Sequence, residues 1–487
     1  MPQLVYATRM QTFQPGGSSD PADLSHPTIW IDVEDLFDYF EQKRRPSGIQ
    51  RLGFLLQQAL QSLGPASVKF VRHTPGHSSF AEVPWSSVEH IFTTLAHSPP
   101  RPEIKPDRNG PGAFTRVRRF YAPVLNRLPG DMLQPLRHAA FYQVKAARAL
   151  GAFARAALLR NRRTPPVPAD PETPGPEIHL MPGDWLLSLG SPWFAADYGK
   201  LLTQCVLDRG GQVAVLIYDL IPFRRPEWFD QDLVQAFSCW FASTIPLASV
   251  VFTISHATAA DLRLVAGRGG LALTPRVVVI PVGSGLGTST APSATIPVQG
   301  PYVLFVSTIE ARKNHALLFR VWRRLLEDLP PGAVPTLVFL GRVGWLVADF
   351  MQQLNNADFL DGKIVVLEDV ADNELSALYA GCLFTVFPSL YEGWGLPVTE
   401  SLAFGKPCLV ANNSSLPEAG GTLARYFDAE DTNDAYRAIR AILDDRPGLA
   451  AWQAELRRTF RPVPWTAAAA LILETLGVSV LTDRAPN

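Results

Sequence analysis

Between Tyr302 and Asp445, five short apolar runs alternate with five amphipathic segments, and that alternation leaves few folds open. The runs are YVLFVS (302–307), TLVFLG (336–341), KIVVLE (363–368), LFTVFPS (383–389) and PCLVAN (407–412). Each is short and rich in β-branched or aromatic residues, so each reads as a strand buried on both faces. Segments 315–329, 344–356, 372–381, 397–405 and 432–445 carry helical periodicity. Strictly alternating strands and helices predict an α/β fold with a doubly wound parallel sheet. Ligands of such sheets bind beyond the carboxyl ends of the strands.

The first 290 residues follow the same pattern with interruptions. PTIWIDVEDLF (27–37) reads as a buried strand with acids at its end. Gly48 marks a turn, Ile49, Leu52, Leu55, Leu56 and Leu60 recur at helical spacing, and ASVKFVRH is the next strand. Further strands are expected within 184–193, 212–222, 249–255 and 276–285, the second ending in Tyr218-Asp219. Ser255 and Thr258 flank the start of a helix in the manner of an N-cap. A chain of 487 residues is too long for one core. The expected division is a flexible tail (1–26), an N-terminal Rossmann-like domain (27–290), a linker (291–301), a C-terminal Rossmann-like domain (302–462) and a closing segment (463–487). The last contains the apolar helix PWTAAAALILETL, expected to pack back on the N-terminal domain.

Residues 97–175 break the pattern. Proline clusters bound them, and between Arg101 and Arg163 there are 14 Lys/Arg against three acids, a local balance of +11. Segment 136–160 reads as a long helix with one apolar face and basic residues elsewhere. The region is expected to be a helical insertion in the N-terminal domain. It would lie on an anionic membrane surface, or be a solvated basic embellishment. The formal net charge of −1 and the lack of any nucleic-acid motif argue against nucleic acid as a partner. Cys205, Cys239, Cys382 and Cys408 have no metal-ligand spacing and suit a reducing compartment. Neither a signal peptide nor a spanning helix is expected.

Two segments carry the chemistry. YEGWGLPVTE (391–400) places Glu392 and Glu400 on either side of a Gly-Trp-Gly-Leu-Pro turn, after a strand and before a helix. Glycines 393 and 395 would let the backbone approach a ligand. The helix start would offer free N–H groups to a phosphate. Glu400 could accept hydrogen bonds from a ribose diol, and Glu392 could meet a sugar ring. The plainer alternative is a dipole-complementing Glu400 and a solvated Glu392. The second segment, STIEARKNH (307–315), puts Arg312 and Lys313 at another strand-to-helix junction, where a diphosphate would meet cations. A solvated basic pair is the alternative, though a poor match to a helix start.

Together STIEARKN and PSLYEGWGLPVTESLAFGKPCLVANNSSLPE resemble the retaining GT-B glycosyltransferases of the GT4 group, in particular bacterial mannosyltransferases of polysaccharide and lipopolysaccharide assembly. SGIQRL, YDLIP and TISHATAADL match in order, and the resemblance covers roughly 27–95 and 180–476. It implies two Rossmann-like domains facing a cleft, and transfer of a hexose, mannose from GDP-mannose as first guess, to a glycan or lipid-linked acceptor. It implies that Glu392 contacts the donor sugar beside the Gly393, Trp394, Gly395 and Leu396 backbone, and that Glu400 holds the ribose. By the same resemblance Arg312 and Lys313, preceded by Glu310, bind the diphosphate, Gly48 faces the phosphates across the cleft, and Asp219 marks the acceptor side.

Two positions depart from the pattern. Ser307 stands where many relatives have arginine, so Arg312 is expected to carry more of the phosphate load or another cation to help, and Tyr218 stands where many have histidine. If a base is needed Asp219 is the better candidate, the alternative being that the leaving phosphate oxygen takes the acceptor proton, so no general base is assigned. No metal and no resident cofactor are expected, the nucleotide-sugar being a substrate. His256 is either a cleft residue or a structural histidine. Trp394 is expected mainly to pack the loop, and Asn412, Asn413 and Ser414 to line the donor site or form a turn. The expected location is cytoplasmic or peripheral on the inner face of the membrane. A nucleotide-sugar epimerase on the same fold, or a non-catalytic paralogue that binds glycan or nucleotide, are the rival readings.

Overall fold

The computed structural model describes residues 27–42, 48–74, 78–97, 175–195, 197–271, 273–284, 298–330 and 332–479. The expected tail 1–26, the interior of the basic insertion, and residues 291–297 of the expected linker lie outside the described residues.

The N-terminal sheet is built from β1 (Ile29–Asp32), β2 (Val68–His73), β3 (Phe80–Val83), β4 (Trp185–Ser188), β5 (Gln212–Ile217), β6 (Val250–Thr253) and β7 (Arg276–Val279), in the order β3-β2-β1-β4-β5-β6-β7. The C-terminal sheet contains β8 (Tyr302–Val306), β9 (Thr336–Leu340), β10 (Ile364–Leu367), β11 (Thr385–Phe387), β12 (Cys408–Ala411) and β13 (Arg425–Phe427), in the order β10-β9-β8-β11-β12-β13. Strands β1, β4, β6, β11 and β12 are buried at every residue, as befits strands with helices on both faces. The helices are α1 (Glu34–Gln42), α2 (Gly48–Leu63), α3 (Trp85–His97), α4 (Tyr198–Cys205), α5 (Gln231–Thr244), α6 (His256–Arg268), α7 (His315–Asp328), α8 (Ala348–Asn356), α9 (Asp372–Gly381), α10 (Leu396–Ala403), α11 (Thr432–Asp444), α12 (Arg446–Thr459) and α13 (Trp465–Thr475). These are two facing Rossmann-like sheets, the GT-B architecture.

Strand order reverses between β1 and β4 in one sheet and between β8 and β11 in the other. Chains leaving those strands diverge to opposite faces and open a crevice at each carboxyl edge. The two crevices face each other, and the space between them is a cavity of about 1020 Å³ lined from both domains.

Helix α13 carries the chain back to the N-terminal domain. Its Ala468, Ala469, Ile472 and Leu473 are fully buried in one core with Ile29, Ile31, Leu56 and Leu60. Burial of an Ile or Leu side chain is worth about 1.5–3 kcal/mol each, so the two long residues alone make this return a strong tie. Gly283 is where it docks: a Cβ there would lie 2.3 Å from the Trp465 ring.

Several local expectations are corrected. The first strand stops at Asp32, and Glu34 to Phe37 are helical. The Asp32 carboxylate accepts the Glu34 N–H at 3.1 Å, and Glu34 and Asp35 complement the dipole of α1. Gly48 is the first residue of α2 rather than part of a turn. The sheet is not wholly parallel, because β3 pairs antiparallel with β2, Phe70 opposite Val83. Helix α8 begins at Ala348, so Gly344, Trp345 and Leu346 stay in the preceding loop. The strand at 407–412 is followed by a further edge strand, β13. The Ser255 cap is present, its hydroxyl accepting the Thr258 N–H at 3.0 Å.

The domains touch through side chains and backbone. Glu418 accepts the His256 and Ala257 N–H groups at 2.7 and 2.8 Å. Tyr391 donates to Asp261 at 2.6 Å, Arg51 pairs with Asp372 at 2.7 Å, and the Trp345 indole donates to the Trp228 carbonyl at 2.8 Å. The Thr258 hydroxyl lies 3.3 Å from the Tyr218 carbonyl and 3.4 Å from that of Gly393.

Candidate active site

After β8 the chain makes a single 3-10 turn, Ala311–Lys313, and Asn314 in the left-handed region (φ 59°) redirects it into α7. That turn throws Arg312 and Lys313 toward the loop after β11. Leu390 N–H donates to the Arg312 carbonyl at 2.8 Å and ties the two loops together. Glu392 then receives Arg312 Nη1 at 2.9 Å and Lys313 Nζ at 2.5 Å. Arg312 is held on its other side by Glu310 at 2.9 Å, and Nη1 also donates to the Tyr391 carbonyl. The backbone of Glu392 is braced as well. Its N–H donates to Ser414 Oγ at 3.0 Å, and its carbonyl accepts from Ser415 Oγ at 2.9 Å. Asn413 and Ser414 therefore support the loop, and Asn413 donates to the Ser389 carbonyl.

Burial by itself would raise the Glu392 pKa, but Lys313 and Arg312 overcome it and hold the carboxylate at about 2. Burial, with Arg312 beside it, pulls the Lys313 ammonium below its ordinary range. The charge on Lys313 thus depends on its glutamate. Burial pushes Asp219 up, against the pull of Arg312, and its Oδ1 accepts the Ile221 N–H at 3.0 Å.

The glycines of the turn are there for reasons other than ligand approach alone. A Cβ on Gly393 would sit 2.1 Å from the Tyr218 carbonyl of the opposite domain. Gly395 has φ +117° and a Cβ there would meet Leu416 at 2.8 Å. Together they bring the loop against the N-terminal domain and turn it into α10. The N–H groups of Gly393, Trp394, Gly395 and Leu396 donate to no group among the described residues. These four residues line the cavity, as does Glu392. Glu400, on the second turn of α10, is 8% exposed. Its Oε2 takes the Tyr379 hydroxyl at 2.8 Å, while Oε1 has no partner among the described residues. Burial raises its pKa, opposed by Arg51.

Gly48 lines the same cavity, and a Cβ there would meet nothing within 4 Å, so its place is open space. Trp394 packs between the cores of both domains, and Leu396 against the N-terminal one. Tyr218 is buried, its hydroxyl tied to the Leu189 carbonyl. His256 is exposed and does not line the cavity.

Sequence reasoning missed the opposite wall. At the carboxyl ends of β1, β2 and β4, Asp32 pairs with His73 at 3.1 Å and accepts the Tyr198 hydroxyl at 2.8 Å. Asp35 accepts the Ser191 N–H and hydroxyl at 3.0 and 3.2 Å, and burial with Asp32 nearby pushes it up to about 6. The acids after the first strand were visible in the sequence. Their partners lie up to 166 positions away, and no spacing rule reaches that far. Among the described residues no group of three or more His, Cys, Asp or Glu is arranged to hold a metal ion. No described helix is long and apolar enough to cross a membrane.

Residues 289–459 match the family described as glycosyl transferases group 1. The matched span covers most of the C-terminal domain. Glu392, Glu400, Arg312 and Lys313 all fall inside its matched span. The serotype-specific mannosyltransferase WbdA of Escherichia coli is 24% identical over 297 residues, 58% of this chain and 36% of WbdA. The O-antigen chain mannosyltransferase B of Escherichia coli is 28% identical over 239 residues, 47% of this chain and 60% of that protein. The chain thus spans less than two thirds of these relatives. Among solved structures, Anabaena HepE in complex with UDP and glucose superposes with a TM-score of 0.52 at 15% identity, over 93% of this chain and 99% of HepE. That likeness speaks to the fold alone, and it spans both domains.

Proposed function

We propose that the protein is a retaining glycosyltransferase that moves a hexose from a nucleotide-sugar to a glycan or lipid-linked acceptor in surface-polysaccharide assembly. One observation carries the reading: an ionised Glu392, clamped by Arg312 and Lys313, beside four backbone N–H groups without partners among the described residues at the head of α10. That is a place built for a phosphate next to a hydroxyl-bearing ring. Glu400, buried with one free oxygen, is placed to accept both ribose hydroxyls. Mannosyltransferase relatives make GDP-mannose the first donor to test.

In this reading the diphosphate settles on the N–H row while Glu392 grips the sugar. The bond between C1 and the phosphate oxygen breaks, and the acceptor oxygen bonds to C1 on the same face. The departing phosphate oxygen takes the acceptor proton, so no protein base is required. Contact between the domains keeps water from the cleft. Asp219 and Asp35 lie on the wall where the acceptor would enter. The reading places the enzyme in the cytoplasm, with the basic segment 101–163 contacting an anionic membrane surface.

Incubation with GDP-mannose and other nucleotide-sugars plus an acceptor tests this. Release of nucleoside diphosphate with a new α-linkage from an α-donor supports it. Epimerised sugar still attached to nucleotide would favour an epimerase, and binding without turnover a non-catalytic paralogue. Glu400→Gln is expected to raise the donor KM on the order of ten-fold with a smaller change in kcat, as for a hydrogen bond made equally in ground and transition states. An unchanged KM would remove Glu400 from the ribose.

A further inference from the structure

The charges around the cavity do not balance in favour of an anionic donor. Its lining holds eight Asp or Glu residues and four Arg or Lys residues. Three of those four cations are already engaged. Arg51 is paired with Asp372, Arg312 with Glu310 and Glu392, and Lys313 with Glu392. Arg342 is exposed and makes no ion pair or side-chain hydrogen bond among the described residues.

Its backbone is fixed beside the segment that leads into Arg312 and Lys313. The Arg342 carbonyl accepts the Ile309 N–H at 2.9 Å, and Gly344 N–H donates to the Ile309 carbonyl at 2.9 Å. Val343 is bridged to Ile309 in parallel register. The loop after β9 is therefore zipped to segment 307–310, directly before the turn that carries Arg312 and Lys313. Ser307, at the end of β8, supplies no charge there.

Resting on the nucleotide-sugar reading, we propose that Arg342 is the cation that binds the donor diphosphate, while Arg312 and Lys313 chiefly hold Glu392 ionised and in place. A guanidinium without a partner can offer two parallel N–H groups to phosphate oxygens without first giving up a carboxylate. A cation already paired would have to share.

Equilibrium binding of GDP, UDP, guanosine and uridine to the full chain, wild type against Arg342→Ala and Arg342→Lys, tests this. For whichever diphosphate the wild type binds, Arg342→Ala should weaken binding on the order of ten-fold or more. Affinity for the matching nucleoside should stay unchanged, and Arg342→Lys should recover part of the loss. The wild-type affinity should also fall more steeply with salt than that of Arg342→Ala. Equal diphosphate affinity in wild type and Arg342→Ala overturns the assignment and leaves the donor reading standing. Equal loss of nucleoside and diphosphate overturns it too, since that marks a base contact or a disturbed loop. A wild type that binds neither diphosphate fails at the donor reading itself. Unchanged melting of the unliganded variants shows that folding is not the cause.

Discussion

Glu392→Ala is expected to lower turnover by about a hundred- to a thousand-fold, the range found when one preorganised polar group is removed from a reacting centre. The structural reason is the double clamp. Arg312 and Lys313 meet this one carboxylate from the other loop, and without it both are buried with reduced compensation. Breaking a buried pair by removing one partner costs about 3–5 kcal/mol, so the alanine variant should also melt earlier. Glu392→Gln separates the two effects, since it keeps the shape and a hydrogen-bond acceptor but loses the charge. Turnover with the best donor, and thermal melting of both variants, are the measurements. Near-wild-type turnover in a folded alanine variant would sink the assignment.

The same carboxylate gives a pH signature. Its folded pKa, about 2, lies below its ordinary 4.5. The stabilisation is therefore fully present above about pH 4.5 and is lost as pH falls through about 2. At 1.36 kcal/mol per pH unit that amounts to about 3 kcal/mol. Glu392→Gln should be free of this part of the acid dependence.

Gly393→Ala is the second large effect. The added methyl would meet the Tyr218 carbonyl at 2.1 Å and Asp219 Cβ at 3.0 Å. The first of these is backbone of the other domain and has no rotamer to yield. Gly393, unlike Gly395, does not have a positive φ, so the cost of alanine there falls chiefly on the domain contact. The expected result is a drop in kcat/KM of at least about ten-fold, since misplacement by an ångström can cost a hundred-fold. Far-UV circular dichroism should not change, and small-angle scattering should report a larger radius of gyration. Turnover and scattering identical to wild type would show that the two domains do not meet through this loop during reaction.

Much of the fold was legible because it rests on local physics. The runs from Tyr302 to Ala411 are mainly apolar, as strands covered on both faces must be. Helix α7, with Leu317, Leu318, Val321, Trp322 and Leu325 buried, follows from its spacing alone. The missed elements were weak in the same currency. Strand β13 has three residues, one of them an exposed arginine, and β3 is a four-residue edge strand. The extent of β1 was misjudged because Val33, Leu36 and Phe37 are as apolar as a strand. Only the Asp32 carboxylate capping Glu34 reveals the switch to helix.

By itself, the sequence determined that two strand-to-helix junctions would each carry charged residues: Arg312 and Lys313 at one, Glu392 and Glu400 at the other. A junction and its residue types are set within ten positions of chain. That Glu392 pairs with both cations, that Gly393 answers to Tyr218 rather than to a ligand alone, that Asp32 finds His73 and Tyr198, and that Arg342 is left without a carboxylate among the described residues were decided only by the tertiary structure. Each depends on which strand lies next to which at the points where the sheet order reverses. Sheet order follows from how whole elements pack, which local spacing does not encode.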